Sequence, residues 1–203
     1  MRIPAVAGAK RSRALLGEDK TVQDQVRKLH QLVRFTAPPL ELADIFEKRP
    51  DLQLKSGGED TPLEIQSEGD RLIIIVPPTD DLCDERMLLA HALGHAMLHP
   101  VPILCDGEWP EEEIFLEEPD AASEVVRESQ AHSFALELLL PMGMIEEHTR
   151  LPVTLFMKGE EVESEVARLV SIFGAPHNAI RARLHLLLER SLRPGPGGLF
   201  RKA

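Results

Sequence analysis

The sequence predicts an α+β fold, mostly helical, with one small antiparallel sheet packed on a helix that carries two histidines. Three observations support this. Apolar residues recur at intervals of three and four along much of the 203-residue chain, which is the spacing of amphipathic helices. Between Leu63 and Val76 the pattern changes to LEIQ, a polar SEGD turn and RLIIIV, which reads as two strands joined in a hairpin. A composition of 43% hydrophobic and 28% charged residues suits one globular domain with a core of its own.

Residues 1–20 form a basic start that is expected to be flexible. TVQDQVRKLHQLVRF over 21–35 sets Val22, Val26, Leu29 and Val33 on one helical face, with Thr21 as N-cap. APPLELADIFEKRP offers proline at a helix start and Leu40, Ala43, Ile45 and Phe46 as an apolar stripe that ends before Pro50. After the hairpin, whose best strand is Ile73 to Val76, Pro77 and Pro78 end the sheet. From Asp80 or Asp81 to about His99 the residues favour helix, with acids at its beginning to complement the dipole. Residues 100–119 hold four prolines and many acids, so a long loop is expected there. A second long helix is predicted over about 120–140, stopped by Pro141. Shorter helices follow near 142–149 and 160–173, then a break at Gly174-Ala175-Pro176, a last helix over 177–190 and a flexible tail over 191–203.

The chain carries a formal charge of −11, which argues against general nucleic-acid binding. The charge is unevenly spread. Residues 105–128 hold ten acids against Arg127 alone, whereas over 176–203 Arg181, Arg183, Arg190, Arg193, Arg201 and Lys202 face only Glu189. Solvated surface explains both runs, and an acidic surface including Glu111, Glu112 and Glu113 that docks a basic partner is the alternative. Direct nucleic-acid contact, if any, falls to the basic C-terminal segment. No apolar run approaches the ~18–20 residues of a membrane span, and basic residues interrupt the N-terminus where a signal peptide needs an apolar stretch. Cys83 and Cys105 are too few for a secreted disulfide framework. A cytoplasmic protein without membrane association is expected.

The most informative stretch is LLAHALGHAMLH over 88–99. His91 and His95 stand at i and i+4, so their Cβ atoms lie about 5–6 Å apart on one helical face, the arrangement in which two imidazoles bind one zinc ion. Between them Ala92 occupies the place where the motif HExxH carries its general-base glutamate. A histidine pair at this spacing also occurs by chance on surfaces and in cores, so a third ligand is needed. Gly94, between the histidines, suits a close neighbouring backbone or substrate. In ESQAHSFALELLLP, Glu128 shares a face with Ala131, Ala135, Leu138 and Leu139. Coordination to a cation would relieve the cost of burying that carboxylate; pairing with Arg127 or a nearby histidine is the other reading. Cys105, ten residues past His95, is a candidate fourth ligand, against the plainer role of a small buried hydrophobe. Cys83, at a helix start, is expected to pack. His99 suits the dipole at the helix end.

These stretches resemble the ImmA/IrrE-like metallopeptidases. That family runs from a hairpin strand into a helix like RFTLAHELGHLLLH and then, past an acidic loop, into a helix like ExxANxFAAELLMP. Here the order appears as RMLLAHALGHAMLH and ESQAHSFALELLLP, and the resemblance covers roughly residues 38–190. ARLVSIFGAPHNAIRARLHLL is similar to the family's later AxxFxVSxxAxxxRLxxL segment. The resemblance implies a zincin-like metallopeptidase domain over 21–157 and helix-turn-helix-like helices over 158–190. It also implies one zinc ion on His91, His95 and Glu128, with the catalytic glutamate's place taken by Ala92. His132 stands where the family usually has asparagine. With no tyrosine in the chain, His132, His148 and His99 are candidates for stabilising an oxyanion.

The implied activity is cleavage of a helix-turn-helix repressor, which derepresses a stress, defence or mobile-element operon. Two accounts of Ala92 follow: a protease whose base has been replaced, a common laboratory device, or a non-catalytic regulator that binds the repressor or an effector without cutting it. Alanine is the best helix former, so either leaves the helix intact.

Overall fold

In a computed structural model, the described residues are 19–58, 61–105, 124–150 and 159–192. The basic start, the acidic run with Glu111, Glu112 and Glu113, the boundary near 157 and nearly all of the tail lie outside them. Helix α1 is Lys20–Val33 and α2 is Leu42–Lys48, followed by strands β1, β2 and β3 at Leu52–Ser56, Leu63–Glu68 and Arg71–Val76. Helix α3, Leu82–Leu98, leads to strand β4, Ile103–Cys105. Helices α4, α5, α6 and α7 are Glu124–Leu139, Met142–His148, Glu160–Phe173 and His177–Leu192. The α+β class is therefore observed.

The sheet is mixed rather than antiparallel, in the order β1-β3-β2-β4. Strand β3 pairs antiparallel with β2 through the expected hairpin, but parallel with β1, Leu52 opposite Leu72. Gly69 turns the hairpin at φ 61°, a conformation that glycine adopts without a Cβ penalty. Neither edge strand was expected. Strand β1 buries only Leu52, and β4 interrupts the expected 100–119 loop with three residues that pair across to Leu63–Ile65. Their partners lie too far along the chain for any local turn signal to announce them.

Helix starts follow side-chain chemistry. Asp19, not Thr21, caps α1, its Oδ1 accepting from the Thr21 N–H at 2.9 Å and the Val22 N–H at 3.4 Å. The carboxylate two residues earlier takes two orphan donors, the Thr21 and Val22 N–H groups. The same helix ends earlier than expected, at Val33, with Arg34 left-handed at φ 55° and the Phe35 N–H bonded to His30 O, a Schellman closure. Asp81 caps α3, accepting from Cys83 N at 2.7 Å.

One apolar core runs from Val22 and Ile45 through Ile65, Ile74, Leu93, Phe134 and Leu138 to Val166, Phe173 and Leu184, so α6 and α7 pack on the same core as α3 and α4. Polar ties fix them there. Arg86 of α3 donates to Gly174 O and Leu40 O, both at 2.8 Å. Arg183 of α7, fully buried, donates to Glu137 Oε2 of α4 at 2.7 Å. Arg181 pairs with Glu163. These two arginines of the basic C-terminal segment therefore have intramolecular partners.

Glu165 of α6 accepts from Arg150 N–H at 2.7 Å and from Arg168 through Nε at 2.8 Å and Nη2 at 2.7 Å. The Arg168 hydrogen bond holds its carboxyl below the usual range, with burial opposing and the Arg150 N–H assisting. A depressed carboxylate contributes stability above its unfolded pKa, which is lost as pH falls. Glu165→Gln should cost about 1–3 kcal/mol at neutral pH, and the gap in Tm should narrow as pH drops through the glutamate range, checked by thermal denaturation against pH.

Candidate metal centre

Helices α3 and α4 lie against each other more extensively than any other helix pair, and Gly94 permits it. A Cβ there would sit 2.9 Å from Ala131 O, 3.0 Å from Ala131 Cα and 3.1 Å from Phe134 Cβ. The close neighbour expected at Gly94 is thus the backbone of α4. Ala131 is one turn beyond Glu128, so this contact also sets how far the carboxylate stands from the two imidazoles.

Both imidazoles are buried, and their Nε2 atoms are 3.0 Å apart. Glu128 straddles them, Oε2 at 3.2 Å from His91 Nε2 and Oε1 at 3.2 Å from His95 Nε2. Cys105 joins from β4, its Sγ 3.5 Å from His91 Nε2 and 3.2 Å from Glu128 Oε2. His91, His95, Cys105 and Glu128 form a group that could hold a metal ion, with all four ligand atoms within 4.8 Å of one another. A tetrahedron with metal bonds of about 2.0–2.3 Å has edges of about 3.3–3.6 Å; the separations of 3.0–3.5 Å between these atoms lie at or just below those edges, so small shifts would seat the four atoms around one ion. Burial alone would raise the Glu128 pKa. Hydrogen bonds from the Nε2–H groups of His91 and His95, with their charge, outweigh it and hold the carboxyl well below its usual range; an ion bound to those nitrogens would take the place of these bonds.

A chain of hydrogen bonds stands behind His95. With Nε2 facing the cluster as a ligand, Nδ1 must carry the proton, and it lies 3.1 Å from His99 Nδ1. His99 then accepts there and donates through Nε2 to Gln130 Oε1 at 3.1 Å. Gln130 Nε2 in turn donates to Asp19 Oδ2 at 3.0 Å, the aspartate that caps α1. Every link has one direction only, which fixes the tautomers of both histidines. Burial lowers the His99 pKa, offset in part by the Gln130 bond, consistent with the neutral ring this chain requires. Sequence reasoning gave His99 either to the helix dipole or to an oxyanion, whereas its observed bonds run to His95 and Gln130; it missed Gln130 and Asp19, whose separation of 111 residues leaves no local signal.

His132 lies against the ligand ring of His91, with centroids 4.2 Å apart, and is itself buried. His148 is placed differently. Its Nδ1 donates to Met144 O at 2.8 Å and its ring packs edge-on to Phe173, with centroids 5.5 Å apart, so its observed bonds serve α5 and α6 rather than the cluster. Ala92 is fully buried among core residues. A recess beside the cluster is lined by His95, Pro102, Ile103, Leu104, Arg127 and Glu128. No family model and no curated protein matches this chain.

Two changes test this construction. Gly94→Ala should force α3 and α4 apart, lowering Tm by several degrees and weakening metal binding in the same variant; calorimetry with and without metal reads both. Gln130→Leu should break the orienting chain and weaken metal binding by about 10–100-fold with little loss of helix content, measured by competition against a chromophoric chelator.

Proposed function

We propose that this chain is a zinc-binding domain of the ImmA/IrrE metallopeptidase type that engages a helix-turn-helix repressor, and that it stands in a non-hydrolytic form because Ala92 occupies the general-base position. The observation that carries the proposal is the convergence of His91, His95 and Glu128 from two packed helices, in the order and spacing of the motifs that resemble that family. Two imidazoles, a carboxylate and a thiol suit zinc, which takes nitrogen, oxygen and sulfur ligands in a tetrahedron. A zinc ion held there would act as a Lewis acid toward a peptide carbonyl and would acidify water.

The chain's own residues supply the remaining parts unevenly. His91, His95 and Glu128 hold the ion, and the chain from His95 to Asp19 orients one of those ligands. His132, beside His91, is the better placed of the histidine candidates for steadying an oxyanion. The recess beside Glu128 lies along β4, and among the described residues no strand pairs with β4 on its outer side. An extended peptide could add there by backbone pairing. The methyl of Ala92 neither takes nor gives a proton.

A second reading, a regulator that holds the repressor without cutting it, is favoured by the complete burial of Ala92. A carboxylate at that position has to face the metal or bear the cost of desolvation. Zinc-loaded parent and Ala92→Glu proteins should be incubated with the helix-turn-helix protein encoded nearest the gene. Cleavage by Ala92→Glu alone, at least the roughly 10²–10⁴-fold that a general base contributes, is expected for the disabled protease. Binding by both without cleavage would favour the regulator, and absence of both binding and cleavage would overturn the repressor as partner.

A further inference from the structure

We infer that Cys105 is the fourth ligand of the metal centre, so that the chain closes the ion in an all-protein His-His-Glu-Cys tetrahedron. This rests on the proposed metal site and adds to it both a residue and a state. Three observations support it. The Cys105 side chain is buried, and Sγ stands 3.5 Å from His91 Nε2 and 3.2 Å from Glu128 Oε2. A sulfur bonded to zinc at about 2.3 Å would lie about 3.5–3.6 Å from a nitrogen or oxygen ligand. The backbone of Cys105 is also held in place, paired with Leu63 as the last residue of β4. The thiol is therefore presented by the sheet to ligands presented by α3 and α4, and no other cysteine joins the group; Cys83 lies at the opposite end of α3.

The consequence concerns the state of the site. Zinc centres that catalyse keep one position for water or substrate, whereas centres with four protein ligands are closed. A thiolate from Cys105 takes the position that water would need. Strand β4, which presents the sulfur, is joined to β2 by three residue pairs, whereas the other three ligands stand on α3 and α4. Closure at Cys105 and loss of the base at Ala92 are separate locks on the same centre.

The full-length chain should be stripped of metal and loaded with one equivalent of cobalt(II), alongside Cys105→Ala and Cys83→Ala. The expected result is an intense near-ultraviolet sulfur-to-cobalt charge-transfer band in the parent and in Cys83→Ala that is lost in Cys105→Ala. Zinc affinity in Cys105→Ala should fall by at least tenfold. X-ray absorption of the zinc-loaded parent should show one sulfur neighbour at about 2.3 Å, a measurement that does not depend on the variant folding. Stoichiometric cobalt without the band, and zinc without a sulfur neighbour, would overturn the Cys105 ligand while leaving the three-ligand site standing. Failure to bind either metal would overturn the metal centre itself.

Discussion

The contact on which this molecule depends is the approach of α3 to α4 at Gly94 and Ala131. A side chain at 94 would meet main-chain atoms rather than a movable side-chain end, so the two helices can lie this close only with glycine there. That separation brings a carboxylate on one helix within reach of two imidazoles on the other. Enclosing two buried imidazoles and a partly buried carboxylate would otherwise be unfavourable. They tolerate it by satisfying one another, and a cation would complete the arrangement. Fold and site are thus linked through one missing methyl group.

Around this pair the remaining elements act mainly as supports. The mixed sheet delivers Cys105 from its edge. Helix α1 contributes Asp19, which caps its own helix with one carboxylate oxygen and anchors Gln130 with the other. His30 of α1 donates to Leu138 O at 2.8 Å, a second tie from α1 to α4, and burial holds its pKa down. At the other end of α3, Arg86 reaches Gly174 between α6 and α7, while the buried Arg183 secures α7 to Glu137. Breaking such a buried pair from one side is costly because the remaining charge stays desolvated. These ties run from the putting-together of the core to the orientation of His95, so that the ligand rings have little freedom to turn.

Local patterns in the sequence pointed to the helices, the hairpin and the four members of the cluster, Cys105 among them as a candidate. Helical periodicity is local, and capping acids, prolines and the HxxxH spacing all act within a turn or two, so α3, α5, α6 and α7 were legible to within a few residues. Glu128 was legible because a carboxylate on an apolar stripe needs a partner. Tertiary structure decided the rest: the parallel pairing of β1, the three-residue strand β4, the placement of Cys105 Sγ against His91 and Glu128, and the line from His95 through His99 and Gln130 to Asp19. Each of these joins residues far apart in the chain, through hydrogen bonds and separations of a few ångströms that exist only once the elements have packed together, and no periodicity in a linear sequence encodes such distances.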